Sequence, residues 1–368
     1  MRLPRNVDRW IGSYLFTEDK KVAWQDGDDL DIYIAICDHW EPECYGASYD
    51  EAVRRVHRWR DEYPRLFEQY RDVDGKPPQY TFFFPQDEYH PRYLDDIRPV
   101  CEAGFGDVDV HLHHDNDTAE QLWEKLESFR ETLFHTHGLL RKDPITGEIV
   151  YGFIHGNWAL CNSLPDGSLC GVNDELTVLR ETGCYADFTL PSAPSQAQIP
   201  TINSIYYAKD ISGQCASHAK GIRARAGQLP PDEHLLMIQG PLTLDWSRFK
   251  KRLMPGIENG DVHGGRPATL ERLKLWIQAG VYVAGQPNHR FIKLYSHGCK
   301  DDNIDTLLGK PMQDFYASLE EYCREYHNLR VHYVTAWEMA QKVHELEQPE
   351  IALNMSKKDS ETPVPNRL

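Results

Sequence analysis

The sequence contains no long hydrophobic run. Nowhere does it have the roughly 18 consecutive apolar residues that a membrane-spanning helix requires. The first stretch, "MRLPRNVDRWIGSYLFTEDKK", lacks the apolar core of a secretory signal and carries charges throughout. We therefore expect a chain without a membrane span that functions in the cytoplasm.

Positive charge is scarce. The chain has 40 Lys and Arg against 57 Asp and Glu, which gives a formal net charge of -17. A surface this acidic repels both nucleic acid phosphates and anionic lipids. We expect neither nucleic acid nor a membrane as a partner.

Paired cysteines are absent as well. The nine cysteines contain no Cys-x-x-Cys pair, which argues against a zinc knuckle and a compact disulfide framework. An odd number of cysteines favours reduced thiols in a cytoplasm. A single bridge between Cys37 and Cys44 stays open at this stage.

What the sequence does have is a regular alternation of short apolar runs and longer helical patterns. The predicted strands are residues 31–38, 79–85, 107–114, 150–156, 184–190, 235–241, 290–297 and 330–336. The predicted helices are residues 50–70, 91–104, 118–138, 173–183, 267–280 and 314–328. Such repeated strand–helix alternation is typical of a parallel sheet with helices outside it.

We predict an α/β fold, namely a distorted (β/α) barrel of about seven or eight parallel strands. This single barrel domain would occupy residues 31–345, after an N-terminal extension at residues 1–30. Residues 346–368 are polar and non-periodic, which indicates a tail. An open doubly wound sheet is the alternative architecture.

Ligand-type side chains recur where the predicted strands end. In parallel α/β folds, functional sites form at the carboxyl ends of the strands. These strand-end residues are Asp38, His39 and Glu41, then His111, His113, His114, Asp115 and Asp117, then His155, Asn157 and Trp158, then Asp187 and Thr189, and finally His297. Recurrence at five strand ends is harder to obtain by chance than any one motif.

The stretch "DVDVHLHHDND" (107–117) carries the strongest signal. His111 and His113 are two residues apart, so they point to the same face of a strand. Burying two neighbouring imidazoles on an inward face is energetically costly unless they bind a cation or take part in catalysis. A divalent metal, most readily zinc, explains them, although Asp117 alone reads as a helix N-cap and His155 alone as a hydrogen-bonded structural residue.

A metal at this position predicts hydrolysis. A bound cation lowers the pKa of a water to about 7 and polarises a carbonyl group. Asp38, on the first strand, would accept the proton of the water, and His297, on the seventh, would protonate the leaving group. The expected reaction is therefore metal-assisted hydrolysis of an amide or ester.

The order of these motifs resembles the polysaccharide deacetylase family, which has the NodB-homology domain of carbohydrate esterase family 4. The corresponding stretches are "ICDHWEP", "VHLHHDND", "FIHGNWAL", "CYADFTLPS" and "KLYSHG", within residues 30–340. The resemblance implies a NodB-like distorted barrel and a divalent metal, usually zinc, held by an aspartate and two histidines. It also implies that Asp187 tunes His297, the general acid.

Four of the motifs depart from the family pattern, with His155 at the arginine position of the third and Tyr295 at the leucine position of the last. The acidic pair reads Asp38-His39, so either Asp38 is the base and His39 a metal ligand, or Asp38 is itself the ligand. The His-x-x-x-His pair becomes His-x-x-x-Asp, and this pattern fits the sequence in two registers. Those registers pair His111 with Asp115 or His113 with Asp117.

The leading hypothesis is a metal-dependent deacetylase of a carbohydrate or sugar-containing intermediate. Its substrate would contact Trp40, His155, Asn157 and Trp158. One rival is a glycoside hydrolase that uses a carboxylate pair, with Asp38 or Glu41 opposite Asp187. The other rival is a carbohydrate-binding barrel without catalysis.

Overall fold

The computed structural model describes residues 4–16, 28–248 and 254–348. Its strands are β1 (Leu30–His39), β2 (Tyr80–Pro85), β3 (Gly106–Leu112), β4 (Arg141–Lys142), β5 (Ile149–His155), β6 (Cys184–Asp187), β7 (Ile205–Ala208), β8 (Ile222–Arg223), β9 (Leu235–Ile238), β10 (Thr243–Asp245), β11 (Gly256–Glu258), β12 (His289–Leu294) and β13 (Leu329–Tyr333). All eight predicted strands are present, as β1, β2, β3, β5, β6, β9, β12 and β13.

The helices surround this sheet. The α-helices are α1 (Ile11–Phe16), α2 (Tyr49–Phe67), α3 (Pro91–Glu102), α4 (Ala119–Glu131), α5 (Glu175–Glu181), α6 (Leu270–Ala279), α7 (Asp301–Leu307), α8 (Lys310–Glu325) and α9 (Ala336–Glu347). Short 3-10 turns cover Pro4–Arg9, Gln86–Glu88, Leu160–Asn162, Ser217–Ala219 and Trp246–Arg248, and a π turn covers Thr132–Thr136. The six predicted helices correspond to α2, α3, α4, α5, α6 and α8. No helix in the described ranges is both long and apolar enough to cross a bilayer.

The main sheet is mostly parallel, which confirms the α/β class. Its order is β12-β1-β2-β3-β5-β6-β9-β7-β8, and the pairs from β12 to β9 are parallel. The first half of β1 pairs with β13, while its residues Cys37–His39 pair with β2.

Ring closure, which the barrel prediction requires, is not found within the described residues. The sheet path ends at β8, and β7 and β8 run antiparallel to their neighbours. The irregular segment at residues 281–284 lies between the two ends. Val281 accepts a hydrogen bond from Phe291 of β12, and the amide of Ala284 donates to Ala224 near β8.

The sheet curves around a small inner core. Side chains of β1, β2, β5, β6, β7, β9 and β12 share one buried cluster, which includes Tyr33, Ala35 and Cys37. The alternate residues of β1, among them Ile34 and Ile36, belong to the larger cluster beneath the outer helices. Helix α9, which the sequence analysis did not predict, packs its apolar side chains into the inner core.

The chain ends differ from the predicted boundaries. The extension at residues 1–30 contains Trp10, which is fully buried against Ala193, Leu242 and Ile257. The predicted tail at 346–368 begins inside α9, and residues 349–368 lie outside the described part. Cys37 and Cys44 are both free thiols, so no bridge joins them.

Helix α2 positions the loops at the carboxyl end of the sheet. Arg55 is 4% exposed and donates to the carbonyl oxygens of Pro42 (3.0 Å) and Cys44 (3.1 Å), which fixes the loop after β1. The indole of Trp59 donates to the carbonyl of Gly298 (3.1 Å), in the turn after β12. One helix therefore holds the two loops that carry the site.

Candidate active site

The carboxylate of Glu41 is the centre of a histidine cluster. Its Oε1 lies 3.3 Å from Nε2 of His111 and 3.0 Å from Nε2 of His113. Its Oε2 lies 3.0 Å from Nδ1 of His297. These side chains follow β1, end β3 and follow β12, so three strand ends converge on one glutamate.

The Nδ1 atoms of two of these histidines are already occupied. Nδ1 of His111 is 2.9 Å from the carbonyl oxygen of Ile154, and Nδ1 of His113 is 3.1 Å from a carboxylate oxygen of Asp87. Both oxygens only accept, so each Nδ1 carries a proton and each neutral ring presents a lone pair on Nε2. Two lone pairs then face a Glu41 oxygen, an arrangement that a proton or a cation must bridge.

This donor set fits a divalent metal. Two imidazole nitrogens and one carboxylate are a common ligand set of catalytic zinc. The carbonyl and carboxylate behind the rings are the partners that orient metal-binding histidines. Two overlapping groups of ligand-type side chains occur here. One consists of Glu41, His111 and His113, and the other of His39, Glu41 and His297. Within each group the ligand atoms lie within 4.8 Å of one another.

His39 completes the cluster from the end of β1. It is 1% exposed, and its Nδ1 has no hydrogen-bond partner among the described residues. Its ring centroid is 4.7 Å from that of His111 and 4.8 Å from that of His297. Burial, together with these neighbouring rings, lowers its pKa well below the usual value, so its imidazole is neutral.

The charges of the cluster are strongly shifted. Burial alone would raise the pKa of Glu41, but hydrogen bonds from three histidines outweigh it and hold that pKa low. Burial likewise opposes the proton on His113, yet Asp87 and Glu41 raise its pKa to about 10. Glu41 also raises the pKa of His297 against the effect of burial. Without a bound cation, the ionised Glu41 thus favours a proton on His113 and on His297, whereas burial lowers the pKa of His111 as it does that of His39.

Asp38 supports the turn after β12. It is fully buried, and both of its carboxylate oxygens accept from the amide of Gly298 at 2.9 Å. Burial raises its pKa to about 7, against the charge of His297 and the Gly298 amide. A Cβ at Gly298 would lie 2.1 Å from Asp38 Oδ2, so only glycine fits there. These contacts position His297, whereas the prediction made Asp38 a base or ligand.

The mouth of the site contains an aromatic side chain. Trp158 is partly exposed, and its ring centroid is 5.5 Å from that of His39 and 6.0 Å from that of His297. With Asn157 it lines an open cleft of about 440 Å³. Substrate contacts at these two residues stay a prediction, since the histidines and Glu41 do not line this cleft.

Two other predicted substrate contacts are placed elsewhere. Trp40 is fully buried and packs against Phe82 and Phe84, with centroids 5.2 and 6.0 Å away. It belongs to the core because the chain turns inward after β1. His155 is also fully buried and faces Glu175, in a second cluster behind the site.

Asp115 and Asp117 do not join His111 or His113, which corrects both predicted registers. Asp115 accepts from the amide of Leu169 (2.7 Å), and Asp117 binds Lys125 (2.6 Å). Strand β3 ends at Leu112, and Asn116 has a positive φ of 54°. The later residues therefore turn away from the strand face. The N-cap of α4 is Thr118.

Asp187 contacts its own loop. Its carboxylate accepts from the amide (3.1 Å) and hydroxyl (2.6 Å) of Thr189, and burial raises its pKa to about 7. The ring of His297, which Asp187 was predicted to orient, is bound by Glu41 instead.

Two residues of the site were missed as members of the metal cluster. Glu41 was noted at a strand end but was assigned only to the rival carboxylate pair. Asp87 follows β2, whose carboxyl end was not searched. Since β2 lies between β1 and β3 in the sheet, its end has to lie beside theirs. The sequence "FFFPQDE" carried that signal.

The comparisons with known proteins do not name a family. No protein-family model and no curated protein matches the sequence. The chain is similar to a solved 4-alpha-glucanotransferase from Thermococcus litoralis (12% identity, TM-score 0.44), with 86% of this chain and 40% of that one covered. It is also similar to an alpha-mannosidase from Enterococcus faecalis V583 (14% identity, TM-score 0.45), with 87% and 30% covered.

The chain thus spans less than half the length of either structure. At TM-scores below 0.5, these similarities do not identify the function of this chain. Membership of the polysaccharide deacetylase family stays a prediction.

Proposed function

We propose that this protein is a metal-dependent hydrolase that removes an acetyl or similar acyl group from a carbohydrate. Glu41, His111 and His113 would hold the metal, with zinc the best match to their donor atoms. One observation carries the proposal. Both Nε2 atoms face one Glu41 oxygen at 3.0–3.3 Å while both Nδ1 atoms are bound to acceptors.

Three protein ligands leave coordination positions open, as in catalytic zinc sites. A bound cation would supply a water of lowered pKa and polarise an acyl carbonyl. His39 is neutral and has an unpartnered Nδ1, so it would accept the proton of that water. Glu41 raises the pKa of His297, whose side chain is 30% exposed, so this histidine would donate a proton to the leaving group.

The substrate class is proposed on two grounds. Trp158 presents an aromatic surface beside His39 and His297, on which the apolar face of a sugar ring can pack. The motif order also resembles that of the polysaccharide deacetylases. The acyl group, the sugar and the linkage would be found by screening acetylated mono- and oligosaccharides.

The test measures acetate release and metal content together. Wild type, His113→Ala and the control Asp115→Asn would be purified, stripped with a chelator and reconstituted with zinc. We expect acetate release that the chelator abolishes and zinc restores in the wild type and in Asp115→Asn. His113→Ala should lose both activity and one equivalent of metal. Full acetate release from chelator-treated protein would overturn the proposal.

A glycoside hydrolase with a carboxylate pair is the second candidate. One observation favours it, since the pKa of Asp38 is raised to about 7 while that of Glu41 is held low. Carboxyl groups with separated pKa values are the pattern of an acid and its ionised partner. Release of reducing sugar that survives the chelator, and is lost in Asp38→Asn and Glu41→Gln, would establish this candidate instead.

A further inference from the structure

A second cluster of ligand-type side chains lies behind the candidate active site. It consists of His114, His155, Cys170 and Glu175, all four of them buried, with ligand atoms within 4.8 Å of one another. They come from the segment after β3, the end of β5, the loop after β5 and the first residue of α5. Nothing in the proposed hydrolysis uses them.

Glu175 lies at the middle of this cluster. Its Oε1 is 3.1 Å from Nε2 of His114 and 3.8 Å from Nε2 of His155. Its Oε2 is 3.4 Å from Sγ of Cys170. Ligands of one tetrahedral zinc ion lie about 3.3–3.7 Å apart, from metal–ligand bonds of about 2.0–2.3 Å. The three separations measured from Glu175 bracket that range, and the other ligand atoms lie within 4.8 Å of one another.

Within the described part of the chain, the side chain of His155 lacks a hydrogen-bond partner in the space between the four residues of this cluster. Its Nε2 is buried and has no hydrogen-bond partner among the described residues, because 3.8 Å is too long for a hydrogen bond. Its Nδ1 accepts from the amide of Asn157 at 3.2 Å, which leaves the proton of the neutral ring on Nε2. A buried donor without an acceptor costs about 1–3 kcal/mol.

The surroundings of Cys170 suit a thiolate. The amides of Asn162 (3.3 Å) and Val172 (3.4 Å) both donate to its Sγ. Such N–H donors stabilise negative charge on sulfur.

We propose that His114, His155, Cys170 and Glu175 form a second, structural metal site that takes zinc. Four protein ligands close the coordination shell, which is the mark of a structural site. One thiolate and one carboxylate balance the two positive charges, so no net charge is buried. A thiolate also selects zinc over magnesium or calcium.

Binding would release protons to the solvent. Cys170 gives up its thiol proton as the sulfur–metal bond forms, and His114 gives up the proton that it shares with Glu175. In His155 the proton moves to Nδ1, and the contact with the Asn157 amide is broken. Asp117, whose Oδ2 is 3.5 Å from Nδ1 of His114, would orient that ring from outside.

The second site would stabilise the first. His113 and His114 are adjacent, and their side chains contact different clusters, Glu41 and Glu175 respectively. The loop between His155 and Cys170 carries Trp158, which lies at the mouth of the active site. A metal on these ligands would therefore hold both His113 and Trp158 in place.

The rival explanation is a metal-free network. His114 would be a protonated partner of Glu175, which also accepts from the amide of Cys161 at 2.6 Å. Cobalt substitution distinguishes the metal site from the metal-free network, because only a thiolate ligand produces a sulfur-to-cobalt charge-transfer band in the near ultraviolet. The active-site cluster contains no cysteine, so this band reports on the second site alone.

The experiment uses the full chain, stripped and then loaded with cobalt or zinc. Wild type should show the thiolate band and bind two metals per chain. His113→Ala should keep the band and bind one metal, whereas Cys170→Ser should lose the band and bind one. Cys161→Ser, a buried cysteine of the same loop outside the donor set, is the matched control and should behave as wild type.

Absence of the band in cobalt-loaded wild type would overturn this inference, whatever the variants do. Retention of the band in Cys170→Ser would overturn it too. Neither result concerns acetate release, so failure of this site and failure of the proposed hydrolase are distinguishable.

Discussion

Asp87→Asn tests the proposed active site most sharply, because it changes one charge and leaves the shape intact. Asp87 contacts Nδ1 of His113 at 3.1 Å and its amide at 3.2 Å. An asparagine can still accept these bonds, but it no longer provides a negative charge behind the ring. Outer partners of metal-binding histidines contribute about 10–100-fold to affinity, or about 1.4–2.7 kcal/mol.

We therefore expect zinc affinity at the active site to fall by about 10–100-fold in Asp87→Asn. The Asp87 side chain is 41% exposed, so the free energy of unfolding should change by less than about 0.5 kcal/mol. Competition with a chromophoric chelator measures the affinity, and urea unfolding measures the stability.

Asp115→Asn is the matched control, since it removes a nearby carboxylate whose one hydrogen bond within the described residues comes from the amide of Leu169. An unchanged zinc affinity in Asp87→Asn would refute the assignment of His113 as a ligand. An equal loss in both variants would show that the effect is one of general charge rather than of ring orientation.

Four further variants follow from the same structure. Gly298→Ala should lower kcat about 100-fold in a folded protein, because a Cβ 2.1 Å from Asp38 displaces the turn that carries His297; wild-type kinetics would contradict this. Trp158→Ala should raise KM with little effect on urea unfolding, whereas Trp40→Ala should destabilise the fold by about 3–5 kcal/mol. Glu258→Gln should cost about 3–5 kcal/mol at neutral pH, since Arg272 then loses its buried partner. Folding lowers the pKa of Glu258. The wild type should therefore lose its extra stability over Glu258→Gln as the pH falls below about 4.3. A difference in urea unfolding that does not depend on pH would contradict the ion pair as its cause.

The elements of the fold could be predicted because hydrophobic runs and helical periodicity are local properties. Each of the eight predicted strands is present, and the short apolar runs that define them are buried on both faces of the sheet. Closure could not be predicted in this way. It depends on whether β8 and β12, the two ends of the sheet path, pair with each other, and within the described residues they do not.

The convergence of the histidines at one edge of the sheet could be predicted for the same reason. Parallel strands bring their carboxyl ends to one edge, so His39, His111, His113 and His297 were expected to lie near one another. The partners of these histidines were harder to predict. Glu41 and Asp87 enter the cluster through loops whose paths are set by Arg55 and by the position of β2 in the sheet.

The sequence by itself thus determined eight of the thirteen described strands, six of the nine described α-helices and the edge at which the histidines gather, since these follow from local patterns and strand direction. Only the tertiary structure decided which carboxylate each histidine meets. Asp115 and Asp117 are neighbours in sequence but turn away after Leu112, whereas His114, His155, Cys170 and Glu175 meet because three loops and a helix pack together. Side-chain contacts between distant segments depend on that packing, and no local pattern encodes it.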